Sequence, residues 1–432
     1  MNPTVNPLIE ALNSPQMIDR LAALRQLKLL LDEGQIARPA TARDVNNHIH
    51  TWYSFSPYSP AKAVWMAYMA GLTTAGIMDH DSIGGAREFT AAGQILGLPT
   101  TIGCEVRASL AGTILEGRRI NNPDQESVAY LALHGVPHTE IDALDAFLQP
   151  VRKARGIRNR RMIATLNTLL APAGIELDYD RDVLPLSLVT DGGGVTERHL
   201  LYALALELLR RYPAPRDLLA FLRGPLQLSV SAKIEAMLLD LENPHRAYDL
   251  LGLLKGELVE QFYIDATEEC LPVADVVAFA KAHGIILAYA YLGDVGDSVT
   301  GDKKTQKFED DYLDELFNLL DTLGFAAVTY MPSRNTRTQL ERLRALCDQH
   351  QFFQISGEDI NQPRQSFVCL AMRDPMFENL YDAAWALIGH ERLATDDLSQ
   401  GLFAAQTLEN NPDLPSRILT YRDHALKLYG QI

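Results

Sequence analysis

The sequence predicts an α/β fold in which strands alternate with helices around one core, with a block of helices inserted midway. Three observations predict it. Short apolar runs of strand length alternate with helical segments from about residue 45, the alternation stops at about residue 148, and it resumes at about residue 284. At 432 residues the chain exceeds one ordinary compact unit but can bury a large core, so neither disulfides nor structural zinc is needed for folding.

The elements follow in chain order. Residues 1–40 read as helical, with Leu21, Leu24, Leu27 and Leu31 at helical spacing and Gly34 as a stop. The first strand is 45–50. Ser59 and Pro60 then supply an N-cap and a first-turn proline for a helix over 61–70, which Gly71 ends. A strand at 75–80, a helix through 86–95 and strands at 99–106 and 128–136 continue the pattern, which predicts parallel strands with helices outside. Helical periodicity over 158–170, 197–211 and 232–254 fills the inserted block. Strands at 284–292, 325–331 and 352–360 bring the total to seven, and a helical tail follows. The expected division is an N-terminal extension (1–44), the first part of the α/β unit (45–149), the insertion or cap (150–260), the second part (261–369) and a tail (370–432).

Asp and Glu number 55 against 39 Lys and Arg, so 39 − 55 gives a net charge of −16. That balance argues against a broad nucleic-acid or anionic-membrane surface and leaves room for a small anion received by something local and positive. Cys104, Cys270, Cys347 and Cys369 form no CxxC pair and read as reduced, core-filling thiols of a cytosolic protein. Glu10 and Asp19 interrupt any leader-like start, and the uncharged apolar run 63–78 is 16 residues, below the roughly 20 a bilayer span needs. A soluble, cytoplasmic protein is expected.

Candidate ligands sit where strands end, the usual place for sites in α/β sheets and barrels. The first strand ends in His48-Ile49-His50, and alternation puts both imidazoles on one face, able to share an ion; an ordinary pair at the core edge reads equally well. The second ends in Asp79-His80-Asp81, which by itself is a turn with a helix cap. The third carries Glu105, a buried-strand carboxylate that needs a compensating charge. The fourth holds His134, by itself a satisfied core histidine, and the last ends Glu358-Asp359-Ile360-Asn361. Five of seven strands ending in His, Asp or Glu make coincidence a poor account of the set.

The ordered segments HIHTWYS, GIMDHDS, GCE and GED resemble the PHP (polymerase and histidinol phosphatase) superfamily over about 45–362. Within the insertion, Arg158-Asn159-Arg160-Arg161 and Thr196-Glu197-Arg198-His199-Leu200 resemble the subgroup that cleaves nucleotide-type phosphoesters. The resemblance implies a distorted seven-stranded (β/α)7 barrel, two or three metal ions and phosphoester hydrolysis by a metal-bridging water. It implies one ion on His48, His50, Glu105 and Asp359, and a second on Glu105, His134 and His199, with His80 at a third site. Zinc, manganese and iron all suit such ligands.

Two departures bear on the third ion. The segment Ser54-Phe55-Ser56-Pro57 lacks an Asp or His usual there, and Asp359-x-Asn361 replaces Asp-x-His. We therefore expect two metal ions per chain, with Glu105, His80 and Asp79 in the catalytic group and His80, Asp79 and Asn361 acting behind the ligands or on substrate. Tyr289 stands where relatives often have His; it orients a leaving group or bonds a backbone carbonyl in the core. Arg118, Arg119, Arg198 and Arg364 are candidate anion partners, each with a surface salt bridge as the alternative, and the basic run 152–161 is either a solvated helix face or part of the cleft mouth. The function expected is a metal-dependent phosphoesterase acting on a small phosphate ester; hydrolysis of another ester or an amide, or a degenerate barrel that binds without turnover, are the alternatives.

Overall fold

The computed structural model describes residues 5–295 and 307–431. Its strands are β1 (Val45–Ile49), β2 (Thr74–His80), β3 (Thr100–Ser109), β4 (Val128–His134), β5 (Leu271–Pro272), β6 (Ile286–Ala290), β7 (Ala327–Tyr330) and β8 (Phe353–Ser356). Seven of them pair in the order β1-β2-β3-β4-β6-β7-β8, while the two-residue β5, absent from the sequence reading, pairs only with the end of β3. A parallel bridge between Ile49 and Ile360 brings the two edges together. There His50 N–H donates to the Ile360 carbonyl at 2.9 Å, and Ile360 N–H donates to the His48 carbonyl at 3.1 Å. The result is a nearly closed seven-stranded α/β barrel, sealed at the ends of β1 and β8.

One expectation is corrected. The strands are not all parallel: β4 runs antiparallel to both β3 and β6. A parallel return needs a crossover of a dozen or more residues, usually a helix, on the outside. Residues 110–127 contain Gly112, Gly117 and Pro123 and form no helix; the chain turns back, with Leu110 N–H donating to the Ser127 carbonyl at 2.8 Å. The end of β4 therefore points toward the opposite end of the barrel from the other strand ends.

The N-terminal segment forms two helices, Val5–Ala11 and Met17–Asp32, and Leu21, Leu24, Leu27 and Leu31 of the second are all buried. Arg20 anchors it to the helix Ala86–Leu96, donating from Nε to Glu88 at 2.8 Å. In the insertion, the first helix spans Ile141–Leu170 rather than starting near 158, and it runs through Pro150. Burial of Leu144, Leu148 and Val151 on its inner face offsets the roughly 3 kcal/mol an interior proline costs. The stretch read as one helix over 232–254 is two, Ala232–Leu239 and Arg246–Phe262, separated by a turn containing Asn243 and Pro244. The insertion has its own core of Met162, Leu166, Leu200, Leu204, Leu250 and Leu254, into which Phe55 from the barrel is inserted.

The helix Glu378–Asp396 lies across the starts of the strands. Its Glu391 carboxylate accepts the Thr101 hydroxyl and the Ile102 N–H, both at 2.7 Å, and its Ala383, Ala386 and Leu387 pack on Ala132, Ala288, Ala327 and Phe353. That end is filled. All four cysteines are free and buried. No helix among the described residues is long and apolar enough to cross a membrane.

Candidate metal centre

The open barrel end gathers side chains from four strand ends. Register places His80 of β2 directly beside Glu105 of β3, so both face inward, and His80 Nδ1 lies 3.0 Å from Glu105 Oε2. His48 and His50 share the inner face of β1, as their spacing requires, and their Nε2 atoms are 3.2 Å apart. Asp359, just past β8, brings Oδ1 to 3.1 Å from His50 Nε2. His48 Nε2 stands 3.9 Å from Glu105 Oε2. Two sets of ligand atoms, His48–His50–Asp359 and His50–His80–Glu105, each fall within 4.8 Å of one another.

Asp79 takes no place among them. Alternation along β2 turns it outward, where it is buried and accepts the Thr51 N–H and the Ser54 hydroxyl, each at 2.6 Å. With its proton given to Asp79, Ser54 Oγ accepts from His50 Nδ1 at 3.2 Å. This relay fixes the proton of neutral His50 on Nδ1 and leaves the Nε2 lone pair facing His48 and Asp359. Asn361 reinforces the arrangement: its Nδ2 donates to Asp359 Oδ1 at 2.6 Å. An imidazole lone pair and a carboxylate oxygen pointed at each other call for a cation between them. The residues present fit a divalent ion.

The electrostatics agree with that fit at His48, His80 and Asp359. Burial, and then the neighbouring His50, hold His80 neutral well below the ordinary imidazole range, and burial likewise lowers His48. Burial also opposes charge on His50, but Asp359 outweighs it and raises the imidazole. Burial pushes Glu105 up, whereas the His50 imidazole overcomes burial at Asp359 and holds it well below the usual carboxylate range. Neutral His48 and His80 and an ionised Asp359 are what a metal ligand set requires, whereas the metal-free directions of His50 and Glu105 run the other way.

His134 and His199 stand apart from both clusters. Because β4 is reversed, Ala132 pairs with Glu105, and His134, two residues on, lies about 7 Å deeper on the same inner face. Burial and then His48 push its pKa down to about 3, and its buried Nε2 has no hydrogen-bond partner. His199 sits in the first turn of the helix Glu197–Arg211, where its Nδ1 accepts the Thr196 N–H at 2.9 Å. That bond puts the proton of neutral His199 on Nε2, so here it caps a helix and packs edge-on against Phe55 at 4.9 Å, with no lone pair free for a metal. The ligand role expected for it does not match this tautomer.

The expected anion partners divide. Arg364 forks onto Asp249 at 2.8 and 2.9 Å, tying the loop after β8 to the insertion. Arg118 pairs with Glu315 at 2.9 Å and lies over the Tyr312 ring, and Arg119 is exposed. Arg198 alone of the four has Asp359 as its principal charged neighbour, with burial lowering its pKa. The sequence reading missed two more cations of this kind. Arg334, in the loop after β7, donates from Nε to the Leu292 carbonyl at 3.1 Å; burial lowers its pKa, and its charged neighbours are Glu309 and then Asp359. Lys255, on the helix Arg246–Phe262, has Arg198 as its principal neighbour. A strand-end position was an available signal for Arg334; Lys255 is one lysine on an amphipathic helix and carries no local signal.

The basic run 152–161 is neither of the two things expected of it as a whole. Lys153, Arg160 and Arg161 are exposed, but Arg155 and Arg158 are buried in a network that joins the insertion to the barrel. Arg155 pairs with Asp81 and, at 3.0 Å, with Glu197; Arg158 pairs with Glu197 and, at 2.9 Å, with Glu269. Arg107 of β3 brings Nη2 to 3.0 Å from Glu269 Oε1, without the alignment of a hydrogen bond. Tyr289, facing out of the barrel, donates to the buried Glu309 carboxylate at 3.0 Å, neither to a backbone carbonyl nor toward the site.

No family model matches the chain, and no curated protein matches it. Among solved structures, a candidate metal-dependent phosphoesterase from Bifidobacterium adolescentis is 18% identical with a TM-score of 0.48, covering 78% of this chain and 96% of the other. An amidohydrolase from Chromobacterium violaceum, with sulfate bound and no metal, is 17% identical with the same TM-score of 0.48, covering 75% and 90%. Similarity at this level does not reach the chemistry of the site, which stands on its own residues: an inward-facing ring of three histidines and two carboxylates at the open end of a nearly closed α/β barrel.

Proposed function

We propose that this chain is a metal-dependent hydrolase of small phosphate esters, including nucleotide-type substrates. The observation that carries the reading is the convergence of His48, His50, His80, Glu105 and Asp359 at the open barrel end. Divalent ions held there supply Lewis acidity and bring the pKa of water toward neutrality. With Nδ1 on Ser54, His50 offers only Nε2 and can serve one ion, so a second would rely on Glu105 with His80 and the orphaned Nε2 of His134. Zinc, manganese and iron all suit the set.

The remaining roles belong to the chain's own groups. Asp79 and Ser54 hold the His50 tautomer. Asn361 orients Asp359. Arg198 and Arg334 answer the charge of an entering anion. His80, 28% exposed and held neutral beside Glu105, offers its imidazole to the second ion and is too weakly basic to shuttle a proton.

The test is metal analysis of the purified protein, followed by a screen against p-nitrophenyl phosphate, its bis ester, nucleotides, carboxylic esters and amides with added manganese or zinc. Phosphoester turnover that disappears in Glu105→Gln is the expected result. Turnover of an amide or carboxylic ester alone would move the assignment to another bond, and bound metal without any turnover would leave a binding module.

A further inference from the structure

Two cations of the insertion lie outside the buried network that fixes it to the barrel. Arg198 is in the first turn of the helix Glu197–Arg211, and Lys255 is on the helix Arg246–Phe262. Among the described residues neither makes an ion pair within 4.0 Å.

Helix geometry aligns them. Tyr202 follows Arg198 by four residues, and Tyr248 precedes Lys255 by seven, so each cation shares a helix face with a tyrosine. The two tyrosine rings are 5.0 Å apart, and both pack on Phe55, at 5.6 and 5.9 Å. Phe55 directly follows Ser54, whose hydroxyl touches His50. The two faces are thereby fixed on the barrel end that holds the candidate ligands. Asp359 acts on both cations, and Asp124 and Glu197 also act on Lys255. The Arg198 charge, ahead of desolvation, pulls the Lys255 ammonium down to about 8, the mark of two like charges held close.

We propose that Arg198 and Lys255 are a clamp for a tetrahedral oxyanion, built by the insertion to receive the phosphoryl group of the substrate. A guanidinium fork takes two oxygens and an ammonium supplies a mobile point charge, so the pair suits an anion with at least three exposed oxygens better than a planar carboxylate. The role in turnover rests on the function proposed above; the binding does not.

Inorganic phosphate titrated by calorimetry into the full-length, chelator-treated protein separates the two. The wild type is expected to bind phosphate, Lys255→Ala to bind it about tenfold or more weakly, the weight of one charge-assisted hydrogen bond, and Lys255→Arg to stay close to wild type. Arg198→Lys should lose affinity because the fork is gone. Lys255 is exposed, so Lys255→Ala should melt with the wild type. Unchanged phosphate affinity in Lys255→Ala, or no phosphate binding by the wild type, overturns the clamp. Metal titration of the same proteins reads the other question: a wild type that takes up phosphate but no metal sinks the hydrolase reading and leaves the clamp standing.

Discussion

The buried charge network makes the sharpest energetic prediction. Arg107, Arg155 and Arg158 face Asp81, Glu197 and Glu269, three charges against three, and five of the six groups are nine-tenths or more buried. Glu269 is 2% exposed and meets Arg158 Nε at 2.9 Å and Arg107 Nη2 at 3.0 Å. Arg158 keeps Glu197 and the Ile264 carbonyl when Glu269 is removed, but Arg107 keeps only Glu197 at 3.6 Å and the Tyr263 hydroxyl at 3.5 Å. Glu269→Ala therefore leaves an uncompensated buried cation and should cost about 3–5 kcal/mol, with Arg107→Ala costing a similar amount. Replacing both with alanine removes one charge of each sign and leaves a balanced network. The double variant should lose less than the sum of the singles by at least about 2 kcal/mol. Urea unfolding followed by circular dichroism and fluorescence measures this, and the losses should hardly respond to salt, because buried pairs are little screened. A double variant as damaged as the two singles added together would show that the charges do not act as a unit.

Two further outcomes follow from the site and its surroundings. Ser54→Ala breaks the relay that fixes His50, and should weaken metal binding about 10–100-fold in a chelator competition while leaving the fold intact; unchanged affinity would remove Ser54 and Asp79 from the site. Glu309 is wholly buried, and burial raises its carboxyl from 4.5 to about 7. Between those pH values the unfolded chain ionises this group while the folded chain keeps the proton, so folding stability falls as pH rises and levels off above 7, by about 3 kcal/mol in all. Glu309→Gln keeps an oxygen for the Leu292 N–H and removes the ionisation, so its advantage over wild type should grow by that amount from pH 4.5 to 7.5. A constant gap across that range refutes the buried-carboxyl account.

Much of the fold was legible because it is written in local periodicity. Each of the seven apolar runs read as strands overlaps a strand of the barrel, and the Ser59-Pro60 cap and the Gly34 and Gly71 stops fall where helices begin and end. What failed depends on partners. The direction of β4 is set by whether 110–127 can build a crossover, and β5 exists only because Leu271 finds Ala108 beside it. The early start of the helix Ile141–Leu170 is decided by burial on either side of Pro150, which a local rule treats as a stop. Apolar periodicity fixes which residues are buried but not what they are buried against.

The site divides along the same line, and the division explains which part of its chemistry could be read. His48, His50, His80, Glu105 and Asp359 were legible because parallel strands deliver their ends to one rim, so residue type and strand position together gave the place. Grouping them was another matter. Pairing Glu105 with His80 requires the β2–β3 register, and the depth of His134 requires the reversal of β4. His199 had the right residue type in a segment that resembles a ligand motif, yet a single backbone N–H from Thr196 takes its Nδ1 lone pair. Anion recognition was the least legible, since an arginine's role depends on which carboxylate reaches it first. Arg364 lost its candidacy to Asp249 and Arg118 to Glu315, while Arg198 and Lys255 keep theirs because none of Asp359, Asp124 and Glu197 comes close enough to pair with them. In a chain with a net charge of −16, unpaired cations beside a ligand ring are the scarce feature, and that scarcity makes the pair of Arg198 and Lys255 a stronger pointer to an anionic substrate than any arginine chosen by its neighbours in sequence.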